Sequence, residues 1–263
     1  MLSSLPTELL QQIIESTVPC DYHCLTYTDR QKTLSILCLV SRRFRQIAQS
    51  LLFEIVSVHW PKKLEMVIDA VESKGWVNAI KQAALRPLYV GRRYLIARAM
   101  KRLARNGQGL SALNLNLEWS EHDPLDLSVL QLFPKLANLR LYRGNYRITS
   151  RIKLPQVVSL NIDMPAFKAI KPLLDPAVLP SLRSFTILDL SHANQSPLLE
   201  RCKLKALVPQ LESINLRWRT IKFAPESIKG RFETTLFDCD SSDLNQFSLE
   251  LAPFRHVRIM GNL

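Results

Sequence analysis

The sequence predicts an α/β chain: a small helical unit at the N-terminus, then a parallel sheet built from a recurring strand-bearing unit. Three observations predict it. Between Leu5 and Phe53 the apolar residues recur at helical spacing. Beyond residue 100 the frame P-x-Φ-x-x-Φ-x-Φ, with Φ apolar, returns again and again. Only seven glycines occur, with no GxGxxG and no GxxxxGK[ST], so the sheet is not of the nucleotide-binding kind.

The helical unit comes first. Ser3 or Ser4 can accept backbone N–H bonds at a helix start, Pro6 is tolerated in the first turn, and Glu8 favours the positive end of the helix. Leu9, Leu10, Ile13 and Ile14 give one broad apolar face, and Pro19 ends the helix. A loop from Pro19 to about Thr28 leads to Asp29, read as the cap of a second helix. From Lys32 to Val40 the sequence is apolar nearly all round, so this helix has to be covered on more than one side. Ser41 opens a third helix, with Phe44, Ile47, Ala48, Leu51 and Leu52 on one face and Arg42, Arg43 and Arg45 on the other.

Three elements carry a resemblance: Leu5-Pro6-x-Glu8-Leu9-Leu10-x-x-Ile13-Ile14, Leu37-Cys38-Leu39-Val40-Ser41-Arg42-Arg43-Phe44, and Leu51-Leu52-Phe53. Together they resemble the F-box, with a long Cys20–Arg30 loop as in fungal members. The resemblance implies that residues 1–55 dock onto the Skp-family adaptor of a cullin–RING (SCF-type) ubiquitin ligase. It assigns that contact to Leu5, Pro6, Leu9, Leu10, Ile13, Leu37, Val40 and Phe44. Each buried side chain of this size contributes roughly 1.5–3 kcal/mol, so a few anchors dominate such an interface.

Behind it the frame recurs at Leu113-Asn114-Leu115, Pro134 to Leu141, Pro155 to Ile162, Pro180 to Ile187 and Pro209 to Leu216. Weaker copies fall at Leu236-Phe237, Val257-Arg258-Ile259 and Leu88-Tyr89-Val90. Leu113, Leu139, Leu160, Phe185 and Ile214 lie 26, 21, 25 and 29 residues apart. In each copy the Φ-x-Φ pair points inward from a short strand while the residue between faces out. Asp126 to Phe133, Phe167 to Leu174 and Ser196 to Val208 have helix-like spacing suited to cover the convex side. The array resembles the irregular leucine-rich repeats that follow many F-boxes. It implies a solenoid over residues 56–263 whose parallel sheet lines the concave side. Asn114, Arg140, Tyr142, Asn161, Asn215, Arg217 and Trp218 would then meet a target protein.

Charge suggests what that target is like. The chain carries a formal +12, with eleven Lys or Arg against three acids between Pro61 and Arg105. Such a balance suits an acidic or phosphorylated partner. A second reading follows from the same stretch: a nucleic-acid-binding repeat protein, its cations on phosphates and Trp60, Trp76, Tyr89 and Tyr94 stacked on bases. Against it, Trp76 and Val77 to Leu85 read as an amphipathic helix packed on the repeats. A third reading keeps the F-box as a scaffold acting outside any ligase.

No catalytic chemistry is expected. The five histidines are dispersed and none sits by a nucleophile signature. Cys20-x-x-His23-Cys24 lacks a fourth zinc ligand, so neither metal nor cofactor is expected. Five scattered cysteines, no basic-apolar leader and no bilayer-length apolar run point to a cytoplasmic or nuclear protein away from membranes.

Overall fold

The computed structural model describes residues 5–18, 24–59, 61–76, 79–86, 93–106, 108–117, 124–142, 144–149, 152–163, 170–188, 210–218 and 256–261. Helix α1 (Thr7–Thr17) begins at Pro6 with no side-chain cap, and Glu8 lies in its first turn. Ser3 and Ser4 are outside the described residues. The apolar face of α1 divides. Leu10 and Ile14 turn into the protein, and Leu9 and Ile13 turn to solvent.

Helix α2 (Cys24–Val40) starts earlier than expected and takes Asp29 into its second turn. The reason is a polar stretch on the inner face. Tyr27, Arg30, Gln31, Leu34 and Cys38 recur at helical spacing and all face the rest of the molecule. A search for apolar residues alone stops at Arg30.

Ser41 caps α3 (Arg42–Glu54) by accepting the Phe44 N–H at 3.2 Å. Leu10, Ile14, Val18, Leu34, Cys38, Ile47, Ala48 and Leu51 then form a core private to the three helices.

No linker follows. Helix α3 passes directly into strand β1 (Ile55–Val58). Its last carbonyls, unpaired within any helix end, are taken up by α2. Arg30 donates to the Leu51 carbonyl at 3.3 Å and to Glu54 at 3.4 Å, and Gln31 donates to the carbonyls of Leu52 (3.2 Å) and Ile55 (3.4 Å). The helical unit and the sheet are thereby tied at their junction.

Helix α4 (Pro61–Ser73) ends in a Schellman turn: Gly75 at φ 66° donates to Glu72, and the Trp76 N–H reaches back to Val71. That turn lays Trp76 on Phe53, ring centroids 5.5 Å apart. Strand β2 (Gln82–Leu85) follows, which corrects the expected helix over Val77 to Leu85. Alternation decides it. Ala83 and Leu85 are buried while Gln82 and Ala84 are not, a period of two rather than 3.6.

After α5 (Arg93–Asn106) come β3 (Ala112–Asn116), β4 (Leu125–Asp126), β5 (Asn138–Tyr142), β6 (Tyr146–Arg147), β7 (Ser159–Asp163), β8 (Ser184–Leu188), β9 (Ser213–Trp218) and β10 (His256–Gly261). Eight of the strands form one sheet in the order β1-β2-β3-β5-β7-β8-β9-β10, parallel throughout, and β4 pairs with β6 apart. Large-sheet neighbours therefore follow chain order.

The register explains the sequence frame. Leu113, Leu139, Leu160, Phe185 and Ile214 sit side by side, as do Leu115, Leu141, Ile162, Ile187 and Leu216. Pro134, Pro155 and Pro180 each occupy the second position of a turn, where the fixed φ of proline is already correct. Leu136 N–H closes that turn onto Phe133, Val157 onto Leu154 and Leu182 onto Leu179. The next carbonyl, of Ala137, Val158 or Arg183, accepts two N–H groups from the following strand. The Ser111 and Lys81 carbonyls do the same one and two strands earlier, so Ile80 begins a copy that lacks the proline.

Two of the expected covering segments are short 3-10 stretches, Leu127–Leu132 and Lys171–Leu174, rather than α-helices. Each has only to drop an adjacent apolar pair onto the core, Val129-Leu130 or Leu173-Leu174, and one tight turn does so. Ser196 to Val208, Leu88-Tyr89-Val90 and Leu236-Phe237 lie outside the described residues, whereas Val257 to Ile259 fall in β10.

Candidate protein-docking surfaces

The helical unit spends its basic-aromatic run on holding itself together. Ser41 caps α3, and Arg43 donates to the Leu5 carbonyl and to Thr7, pinning the start of α1. Arg45 donates from Nε to the Cys38 carbonyl at 3.0 Å, near the end of α2. Phe44 and Leu37 are half-buried against the private core. Burial pushes the Cys38 thiol up from its ordinary value, against the opposing pull of the Arg45 guanidinium. Such a thiol is a packing group rather than a nucleophile.

What remains apolar and uncovered is specific. Leu9 is 46% exposed and Ile13 43% on α1; Ile36 is 54%, Leu39 79% and Val40 60% exposed on α2. Pro6 is also exposed and Leu5 half-buried. Of the eight residues expected at the adaptor, Leu10 is the one the fold buries outright. At 1% exposure its surface is already spent within the helical core. Ile36 and Leu39 are exposed as well, outside the eight expected residues. A helix apolar nearly all round, with Leu34 and Cys38 facing inward, has to present the remainder outward.

The open face of the sheet carries a different row. Ala84, Asn114, Arg140, Asn161, Thr186, Asn215 and Arg258 are register neighbours, and Tyr142 lies two residues from Arg140 on the same side. Asn215 and Arg217 share that row's alternation, whereas Trp218 falls in step with Ile214 and Leu216. The side chains of these β9 residues lie outside the described ones.

Where the open face meets the helical unit it forms a pocket of about 150 Å³, walled by Tyr27 of α2. Tyr27 and Gln82 escaped the sequence reading. The first sat in a presumed loop and the second in a presumed helix.

The basic stretch is partly neutralised. Arg102 of α5 bonds Asp69 at 2.6 Å and Glu72 at 3.1 Å, and Arg98 pairs with Glu65 at 3.4 Å. The Asp69 hydrogen bond leads in raising the Arg102 pKa. Lys62, Lys63, Lys74, Lys81, Lys101 and Arg105 remain exposed. Among the described residues no group of three or more His, Cys, Asp or Glu could hold a metal ion, and no helix is long and apolar enough to cross a membrane.

Uncovered leucines and isoleucines on the helical unit form the kind of surface that another protein covers. Residues 2–55 match the F-box domain family, so the chain carries an F-box domain over that span. No curated protein and no solved structure matches the chain.

Proposed function

We propose that this chain is the substrate-recognition subunit of an SCF-type cullin–RING ubiquitin ligase, working in the cytoplasm or nucleus. In this reading the F-box binds a Skp-family adaptor, and the sheet behind it is an irregular leucine-rich-repeat array whose open face holds a target protein. The observation that carries the proposal is the exposed set Leu9, Ile13, Ile36, Leu39 and Val40 inside the matched F-box. Large apolar side chains clustered in a docking module mark a surface that a partner covers. Parallel strands in chain order, with in-register apolar columns, support the repeat reading.

The mechanism is proximity. The chain supplies no chemistry of its own; it raises the effective concentration of the target's lysines near a ubiquitin-charged enzyme. The junction between α3 and β1 matters to that role. Arg30 and Gln31 fasten the end of α3 where it runs into β1, so the F-box meets the sheet through a bonded helix end rather than a free linker.

Co-expression with a Skp-family adaptor tests the proposal. The intact chain should co-purify with the adaptor, and Leu9→Ala combined with Ile13→Ala should lose it. No capture by the intact chain overturns the F-box assignment. Capture without cullin recruitment or target turnover instead selects the scaffold reading. Trp76, one of the four rings that the nucleic-acid reading would stack on bases, is half-buried and packed against Phe53.

A further inference from the structure

We propose that the outer faces of α4 and α5 bind an acidic segment of a partner protein, one that carries an apolar side chain among its carboxylates. This surface is separate from the F-box leucines and from the open face of the sheet. It therefore stands or falls without the ligase reading.

The two helices cover the side of the sheet opposite its open face. Leu64 and Ile68 of α4 and Met100 and Leu103 of α5 share one core with Ala83 and Leu113. Ala84 and Asn114, one residue further along the same strands, belong to the open face.

Ion pairs sort the charges on these helices. Glu65, Asp69 and Glu72 are the three acids of α4, and α5 has none. They recur about once per helical turn on the flank toward α5. Each meets a guanidinium there, Glu65 that of Arg98 and the other two that of Arg102. All three acids are thereby engaged. Lys62, Lys63, Lys101 and Arg105 are exposed, and among the described residues none of them has an ion-pair partner. On α5, Arg98, Lys101 and Arg105 follow at i, i+3 and i+7, so one face presents cations over about 10 Å. On α4 an apolar group joins them. Met66 is 67% exposed, one turn past Lys62 and Lys63 and one turn before Ala70.

Unpaired cations call for an anion, and Met66 narrows the choice. A nucleic-acid backbone brings charge but nothing apolar for Met66. It also needs rings to stack on, and Trp76, the described aromatic beside α4, is packed on Phe53. A membrane surface is held by several apolar side chains inserted together. Among the described residues these two faces expose one large apolar side chain. A polypeptide can set carboxylates on both sides of a single leucine, which is the pattern these faces complement.

Fluorescence anisotropy of labelled probes, titrated with the full chain, tests this. The lead probe is a peptide with glutamates on both sides of one central leucine. It should bind saturably, and added salt should weaken it. Alanine in place of its leucine should cost about fivefold in affinity, the scale of one partly buried side chain, and Met66→Ser should cost the same. Lys101→Glu with Arg105→Glu should weaken it about tenfold by reversing two exposed charges. Lys135→Glu with Lys153→Glu makes the same change in net charge at exposed positions on the approaches to β5 and β7, and should stay within about twofold. All these positions are exposed, so the variants keep the fold.

Equal losses from the two charge-reversed pairs overturn the proposal, because net charge alone would then hold the peptide. Tighter binding of oligothymidylate, or of phosphatidylcholine vesicles doped with phosphatidylserine, overturns it in favour of nucleic acid or lipid. Tightest binding by a peptide of this chain's own residues 233–250, which hold five acids and no Lys or Arg, assigns the face to a second copy instead. No binding by any probe means that the face is only solvated, and the proposal fails. Leu9→Ala with Ile13→Ala should leave the peptide affinity unchanged, so adaptor capture and peptide binding are read independently.

Discussion

The F-box and the sheet use similar residues to opposite ends. In the sheet, the paired apolar positions of every described copy from Leu113 to Ile187 are essentially fully buried, and the residues between them are polar. In the F-box, leucines and isoleucines next to each other in sequence part company, one to the core and one to solvent. The sheet completes its apolar contacts within the chain; the F-box leaves some of its apolar side chains exposed. Buried and exposed apolar side chains thus lie next to each other in the F-box, and substitution can test the two kinds separately.

The largest effect should come from the sheet's interior. Phe185 is fully buried at the centre of its column, between Leu160 and Ile214. Phe185→Ala should cost about 3–5 kcal/mol, the removed ring adding to the cavity it leaves. Urea unfolding measures this. A loss under about 1 kcal/mol would mean that the column can collapse around the gap, unlike a close-packed core.

Leu9 and Leu10 give the sharper comparison. Leu10→Ala should cost about 2–5 kcal/mol of stability, whereas Leu9→Ala should stay within about 0.5 kcal/mol. Adaptor capture should follow the reverse order in any variant that remains folded. Equal destabilisation by the two would erase the division between inner and outer faces of α1.

The sequence revealed much of this, and where it failed the causes are physical. Strands β3, β5, β7, β8 and β9 were legible because a proline stands five residues before the apolar pair in four of them and alternation marks the strand. Strand β2 was not, because its first copy lacks the proline and Ala83 and Ala84 are equally small on both faces. The docking helices were visible as apolar patterns, but those patterns alone could not say which apolar residues the fold itself consumes. Only packing separates Leu9 from Leu10. The pocket was least legible of all, since Tyr27, Gln82 and Asn114 come from three distant segments, α2, β2 and β3, that only the folded chain brings together.

A middle-sized effect tests how the F-box is fastened. Ser41 accepts the Phe44 N–H and opens α3, the helix that runs on into the sheet. Ser41→Ala should cost about 0.5–2 kcal/mol, while Ser41→Asp should retain most of the cap. Chemical denaturation compares the two. If the aspartate variant fell as far as the alanine, contacts of Ser41 other than the cap would be responsible.

The smallest effect lies on the covering side of the sheet and depends on pH. Asp126 caps the 3-10 turn through the Ser128 N–H at 2.9 Å and accepts from the Thr149 hydroxyl, so it joins that turn to the residues just past β6. Burial taken alone pushes its carboxyl up, but the Thr149 and Ser128 hydrogen bonds, with the charge of Arg147, together bring it below its ordinary value. A folded pKa held below the unfolded one, about 3.9, means that the native state prefers the charged carboxylate. Its contribution is complete above the unfolded value and is lost as pH falls through the folded one. The thermal-midpoint difference between the native chain and Asp126→Asn should therefore be flat from about pH 7 to 5 and narrow below about pH 4. A difference that widened on acidification would mean that the protonated acid is the form this turn prefers, and that Thr149 and Ser128 do not act on the carboxylate as their geometry indicates.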